Sequence, residues 1–282
     1  MMKIIQDPAA MQQSALEWRQ AGKRIGFVPT MGFLHEGHLS LMRLARAQCD
    51  VLVVSIFVNP TQFDQAADLI AYPCDFARDE SLCEAEQVDV IFYPSAESMY
   101  VADASTWVDE ELLSKGLCGA SRAGHFRGVC TVVAKLFNLV QPDLAVFGEK
   151  DAQQLRVIER MVRDLYFPIQ IIRGPIVREP DGLAMSSRNK NLSPQQRKNA
   201  LCLSRALRRA EELFEAGEHS IPVLQQAMAT IINEANGATV DYITFVDDES
   251  LEPVHSQTRR ILVALAVKFG AVRLIDNQIL TL

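Results

Sequence analysis

The densest cluster of reactive groups lies in VPTMGFLHEGHLSLM, residues 28–42. A β-branched run ends there, a proline and two glycines follow, and a helical pattern opens near His38. Gly32 and Gly37 let backbone approach a ligand closely, and a helix N-terminus offers unpaired N–H groups and a partial positive charge to an anion. His35 and His38, three positions apart, can both donate to phosphoryl oxygens. The same pair could instead cap a turn or hold zinc. The common nucleotide loops are absent: there is no GxG, and the Gly32-x4-Gly37 spacing leads to His38 where a P-loop needs lysine.

Further stretches carry groups of related kind. SIFVNPTQF (55–63) leaves an apolar run and reaches Gln62, whose amide donates and accepts and so suits a substrate bearing hydroxyl and carboxylate together. Alone, Asn59-Pro60 reads as an ordinary turn. In FGEKDAQQL (147–155), Gly148 permits close approach, Lys150 places a point charge, and Asp151 can cap the next helix or accept from a ribose hydroxyl. A solvated turn is the plain alternative. In REPDGLAMSSRN (178–189), two hydroxyls and the Arg188 fork, placed in a flexible stretch after Asp181-Gly182, suit phosphate oxygens and a grip that forms after the nucleotide enters. His125 and Arg127 of GHFRGVCTVVAKLFNLVQPD (124–143) can serve an anion or simply the loop before a helix.

HEGH, between a strand and a helix, resembles the HIGH signature of the class I aminoacyl-tRNA synthetase and nucleotidyltransferase superfamily. The wider string PTMGFLHEGHLSL and the four other segments, in order from residue 29 to 189, are similar to the pantothenate synthetase (pantoate–β-alanine ligase) family. The C-terminal third fits that family in size and pattern only. The resemblance implies ATP-dependent condensation of D-pantoate with β-alanine to pantothenate, AMP and pyrophosphate through a pantoyl adenylate. It implies that ATP is held by Met31, Gly32, His35, Gly37 and His38, by Gly148, Lys150 and Asp151, and by Met185, Ser186, Ser187 and Arg188, with Val177 meeting the adenine through its backbone. His35, His38, Lys150 and Arg188 are then the catalytic set, and Gln62 and Gln154 hold pantoate. Mg2+ accompanies ATP, with Asp79 the acidic candidate near it, although Arg78 precedes it here. No residue stands out as the base for the β-alanine ammonium. A homodimer is implied on the same ground. The rivals are a HIGH-motif nucleotidyltransferase acting on a phosphate nucleophile, which needs extra basic residues where this chain offers Gln62 and Gln154, and a non-catalytic nucleotide- or RNA-binding module.

The elements that must position these groups follow from periodicity. Residues 23–29 and 51–58 read as strands buried on both faces, with Leu41, Leu44 and Ala45 at helical spacing between them. Strand patterns recur at 88–93, 144–147 and 169–172, and helical ones at 75–85, 128–140 and 152–165. This alternation predicts an α/β, Rossmann-like doubly wound parallel sheet over 1–176, with ligands beyond the carboxyl ends of its strands. From 177 to 282 the pattern predicts a smaller α+β domain, expected to act as a lid. Ser193-Pro194-Gln195-Gln196 reads as a capping box opening one helix that runs to Gly217, a second helix covers about 222–235, and strands at 240–246, 260–267 and 271–275 form a small antiparallel sheet.

Composition bounds the function. Of 282 residues, 49% are hydrophobic and 22% charged, so a large core can form. The net charge of −7, from 28 basic and 35 acidic residues, argues against a nucleic-acid coat, so no nucleic-acid partner is expected. The apolar runs at 51–58 and 261–267 fall short of the roughly 20 residues that span a bilayer, so no membrane partner is expected either. MMKIIQDPAAMQQ lacks a secretory pattern, which points to the cytoplasm, and six cysteines without a CxxC read as free thiols.

Overall fold

The β-branched runs form strands whose side chains are almost all buried, as strands covered on both faces require. The computed structural model describes residues 2–64 and 66–282. The chain divides into two units, one comprising residues up to 149 with 154–175, the other 150–153 with 176–282.

The larger unit is built on β1 (Lys3–Ile5), β2 (Ile25–Thr30), β3 (Val51–Ile56), β4 (Val90–Phe92), β5 (Leu144–Gly148) and β6 (Gln170–Gly174). They form one parallel sheet in the order β1-β4-β3-β2-β5-β6. The chain steps from β2 to β3 and β4 on one side and resumes with β5 and β6 on the other, which puts the topological switch between β2 and β5. The connecting helices are α1 (Pro8–Gln20), α2 (Glu36–Arg46), α3 (Ala66–Ile70), α4 (Phe76–Ala85), α5 (Ala96–Met99), α6 (Leu117–Ser121), α7 (His125–Val140) and α8 (Ala152–Asp164). On α2, Leu39, Leu41, Met42 and Ala45 face a core that includes Val28, Val54 and Val146. Gly174 lets this helix settle on β6, since a Cβ there would stand 2.1 Å from Leu41 Cδ2. Each such leucine contributes about 1.5–3 kcal/mol on burial, so packing fixes the helix that carries His38.

The smaller unit contains α9 (Pro194–Asn199), α10 (Cys202–Glu215), α11 (Ile221–Asn233) and the antiparallel sheet β7 (Ala238–Asp247), β8 (Arg260–Phe269) and β9 (Val272–Thr281), in the order β7-β8-β9. Leu203, Leu207, Phe214, Leu224 and Met228 pack with Val263, Leu265 and Phe269 in its core.

Several features depart from the sequence pattern: α1 was not expected, α7 begins at His125 so that His125 and Arg127 lie within the helix, and β9 runs on to Thr281. β1 is an edge strand of three residues, too short and too exposed to leave a periodic signal. The helix expected to run unbroken from the capping box to Gly217 is split at Ala200–Leu201. The capping box itself forms, with Ser193 Oγ accepting from Gln196 N–H. Gln196 and Asn199 then tether α9 by donating to the carbonyls of Phe269 (3.1 Å) and Asn236 (2.6 Å), and α10 starts afresh. The free state of all six cysteines matches the sequence reading. Among the described residues no helix is long and apolar enough to cross a membrane.

Candidate active site

Beyond β2 the chain must turn sharply to enter α2. Gly32 (φ 83°) and Phe33 (φ 49°) both lie in the left-handed region, costly at Phe33 by about 1–2 kcal/mol. The turn is held from outside by α4. Asp79, 1% exposed, accepts from Phe33 N–H at Oδ2 (2.7 Å) and from Leu34 N–H at Oδ1 (2.8 Å). Arg78 donates to the Leu34 carbonyl (2.8 Å) and sets its guanidinium 5.3 Å above the Phe33 ring. Burial pushes the Asp79 carboxyl above its ordinary value, and the two backbone donors pull it part of the way back. Asp79, the acidic candidate expected near magnesium, thus has both carboxylate oxygens buried and hydrogen-bonded within the turn.

The turn delivers His35 as the N-cap of α2, in extended backbone, with Gly37 and His38 in the first turn. His38 Nδ1 accepts from His35 N–H (3.3 Å), and the two rings lie 4.0 Å apart. A neutral ring that accepts at Nδ1 carries its proton on Nε2.

Beyond β3, Asn59 organises the loop that carries Gln62. Asn59 is 1% exposed and donates from Nδ2 to Gln62 Oε1 (3.0 Å) and to the Gly128 carbonyl (3.2 Å), while its Oδ1 accepts from Tyr100 O–H (2.8 Å). Gln62 Nε2 approaches Met31 Sδ at 3.1 Å, which joins this loop to the histidine turn. The Gln62 carbonyl accepts from His125 Nδ1 (2.8 Å) and Arg122 Nη2 (3.2 Å). Arg122 Nη1 also donates to His125 Nε2 (3.0 Å), so His125 is fixed as the Nδ1–H tautomer and supports the loop backbone. Gly128 lets α7 touch the loop, because a Cβ there would fall 2.4 Å from the Thr61 carbonyl oxygen. Arg127 instead stacks over Trp107, 4.6 Å from the ring centre. Gln154 is half-buried in the first turn of α8, just past Gly148 and Asp151.

The remaining residues belong to the smaller unit. Lys150 and Asp151 sit in a 3-10 turn after β5, with Lys150 Nζ 3.7 Å from Asp151 Oδ1. The Lys150 carbonyl accepts from Asn277 Nδ2 (2.9 Å). Next to it Asp276, 2% exposed, holds Arg178 through two hydrogen bonds of 2.6 and 2.9 Å. Val177 and Met185 face each other across a hairpin, with Met185 N–H donating to the Val177 carbonyl (2.9 Å) and Gly182 (φ 97°) in the turn. Ser186 Oγ accepts from Arg188 N–H and opens a 3-10 turn over Ser187–Asn191. Hydrogen bonds flank the stretch expected to be flexible. Asn189 donates to Glu179 and to the Ala184 carbonyl, and Arg197 donates to Glu179 and Asp181.

Sequence reasoning missed Asn59, Tyr100 and Asp276, each at work through a polar contact. Only Asn59 left a signal, by standing three residues before Gln62.

The model of the pantoate–β-alanine ligase family matches residues 3–279. The chain belongs to that family. The pantothenate synthetases of Thermotoga neapolitana and Geobacter sulfurreducens are 56% and 55% identical over 279 residues, 99% of this chain and 100% and 99% of theirs. Among solved structures, a pantothenate synthetase from Thermus thermophilus is 42% identical with a TM-score of 0.92 over 98% of this chain and 99% of its own. The pantoate–β-alanine ligase of Francisella tularensis, solved with beta-gamma ATP and β-alanine, is 35% identical with a TM-score of 0.82 over 99% of this chain and 97% of its own. The protein is thus a carbon–nitrogen ligase, and both units of the fold are those of the family.

Proposed function

We propose that this ligase joins D-pantoate to β-alanine with cleavage of ATP to AMP and pyrophosphate, and that it does so through a pantoyl adenylate. A carboxylate is a poor electrophile towards an amine because its leaving group would be oxide. Attack of the pantoate carboxylate on the α-phosphorus, with departure of pyrophosphate, replaces that leaving group by AMP. The amine of β-alanine then attacks the acyl carbon, and the P–O–C bond to AMP breaks on the carbon side.

The chain's own contribution is positioning and electrostatic stabilisation. His38, through its Nε2 proton, Lys150, Ser187 and Arg188 meet phosphate charge, with His35 and the α2 N-terminus assisting. Gly32, Gly37, Gly148 and Asp151 belong to the nucleotide contacts, and the Val177 backbone to the adenine. Gln62 and Gln154 orient pantoate. Magnesium enters as the counter-ion of the ATP substrate.

The observation that carries this reading is Gln62, a buried amide fixed by Asn59 beside the histidine turn. A nucleotidyltransferase acting on a phosphate nucleophile would place a cation there. The beta-gamma ATP and β-alanine bound by the Francisella relative support ATP and β-alanine as substrates here. The test is exchange of labelled pyrophosphate into ATP with pantoate present and β-alanine omitted. Exchange is expected, and exchange that strictly requires β-alanine would contradict a discrete adenylate.

A further inference from the structure

We infer that Asp79, with Arg78, is a positioning residue for the ligation reaction, acting on His35 and His38 through the backbone of residues 32–34. Three polar backbone groups of that turn, the N–H of Phe33 and the N–H and carbonyl of Leu34, are satisfied by these two consecutive side chains of α4. The turn needs such help, because Phe33 is held in left-handed backbone that a phenylalanine rarely adopts. The fit around Asp79 is tight: a Cβ on Gly32 would stand 3.0 Å from its Oδ2. Leu34, whose N–H and carbonyl are both held, is fully buried and directly precedes His35, the N-cap of α2. Moving the Leu34 peptide moves the N-cap and with it the His35 N–H that fixes the His38 tautomer. The acidic side chain therefore acts on the phosphate chemistry at second hand, through main-chain geometry.

This rests on the reading that the histidines meet the phosphates, and the test separates the two. Asp79→Asn keeps the shape but turns one acceptor into a donor facing an N–H. With every substrate saturating, the turnover number for AMP release is expected to fall about tenfold or more, the scale of a displaced preorganised donor. The KM for pantoate and the magnesium concentration giving half-maximal rate are expected to stay near the wild-type values. In a His38→Ala background the same substitution is expected to cost little, since two changes acting on one group are not additive. Unchanged turnover overturns the inference. So does a roughly tenfold rise in half-saturating magnesium, which would make Asp79 a metal ligand, or a full additional loss in the His38→Ala background. If Asp79→Asn does not fold, Arg78→Met decides: its side chain is 45% exposed, and its removal frees the Leu34 carbonyl and takes the guanidinium from the Phe33 ring and from Asp79 while leaving both N–H contacts of Asp79 in place, so a smaller loss of the same pattern is expected. A wild-type protein that forms no AMP with pantoate would instead overturn the functional reading.

Discussion

At Lys150 and Gln62 the two partners of the first chemical step are assigned to different side chains, so their removal should fail in different ways. Charge on the phosphates grows in the transition state, and Lys150→Ala should lower the rate constant of adenylate formation by about 100-fold or more. On the proposed assignment Gln62 holds pantoate in ground and transition states alike, so Gln62→Ala should weaken pantoate binding and leave ATP binding nearly unchanged. Single-turnover adenylate formation at two pantoate concentrations, with ATP affinity from calorimetry, reads both. Loss of ATP affinity in Gln62→Ala would move the acid pocket away from this loop. Lys150 was legible in the sequence as a cation two residues past Gly148, and Gln62 through the resemblance carried by SIFVNPTQF. The support of Gln62 was not legible: Asn59 binds the Gly128 carbonyl 69 positions away, and such a distance leaves no periodic trace. Asp79 was visible as an acidic residue, but the job it does depends on partners 45 and 46 positions earlier.

Among the elements, the parallel strands were readable as β-branched runs, and α2 as an apolar stripe at helical spacing. The split between α9 and α10 was not, since hydrogen bonds from Gln196 and Asn199 to backbone far along the chain override a continuous apolar pattern. Close approach of elements is equally silent in sequence. Gly128 sets the distance from α7 to the Gln62 loop, and Gly128→Ala should force the two apart, at about 1–3 kcal/mol of stability for overpacking. The expected result is a lower thermal midpoint together with a raised KM for pantoate and an unaltered ATP affinity. A variant that loses stability while keeping the pantoate KM would separate α7 from the acid pocket.

For the whole molecule, buried thiols set an alkaline limit. Burial pushes Cys83 and Cys130 up to about 12 and Cys202 up to about 11. In the unfolded chain the same thiols ionise near 9, so the fold favours the protonated form. Their contribution to stability is complete below pH 9 and is lost as pH climbs through 11 to 12. Urea midpoints should therefore drop over that window, and replacing Cys83 or Cys130 by alanine should flatten the drop after correction for the cavity. At neutral pH an alkylating reagent should reach exposed Cys74 well before these three.

The hydrogen bond from Asn277 to the Lys150 carbonyl spans 127 positions of sequence. At roughly 5–20 residues per second of synthesis, Lys150 leaves the ribosome about 6 to 25 s before the side chain that secures its turn. During that interval most of β1 to β6 already exists, while the turn carrying Lys150, to which the proposed function assigns phosphate charge, still lacks its anchor in β9. Nascent chains stalled before residue 277 should therefore show a protected parallel sheet and no pyrophosphate exchange, so that catalytic competence lags well behind the sheet that carries it.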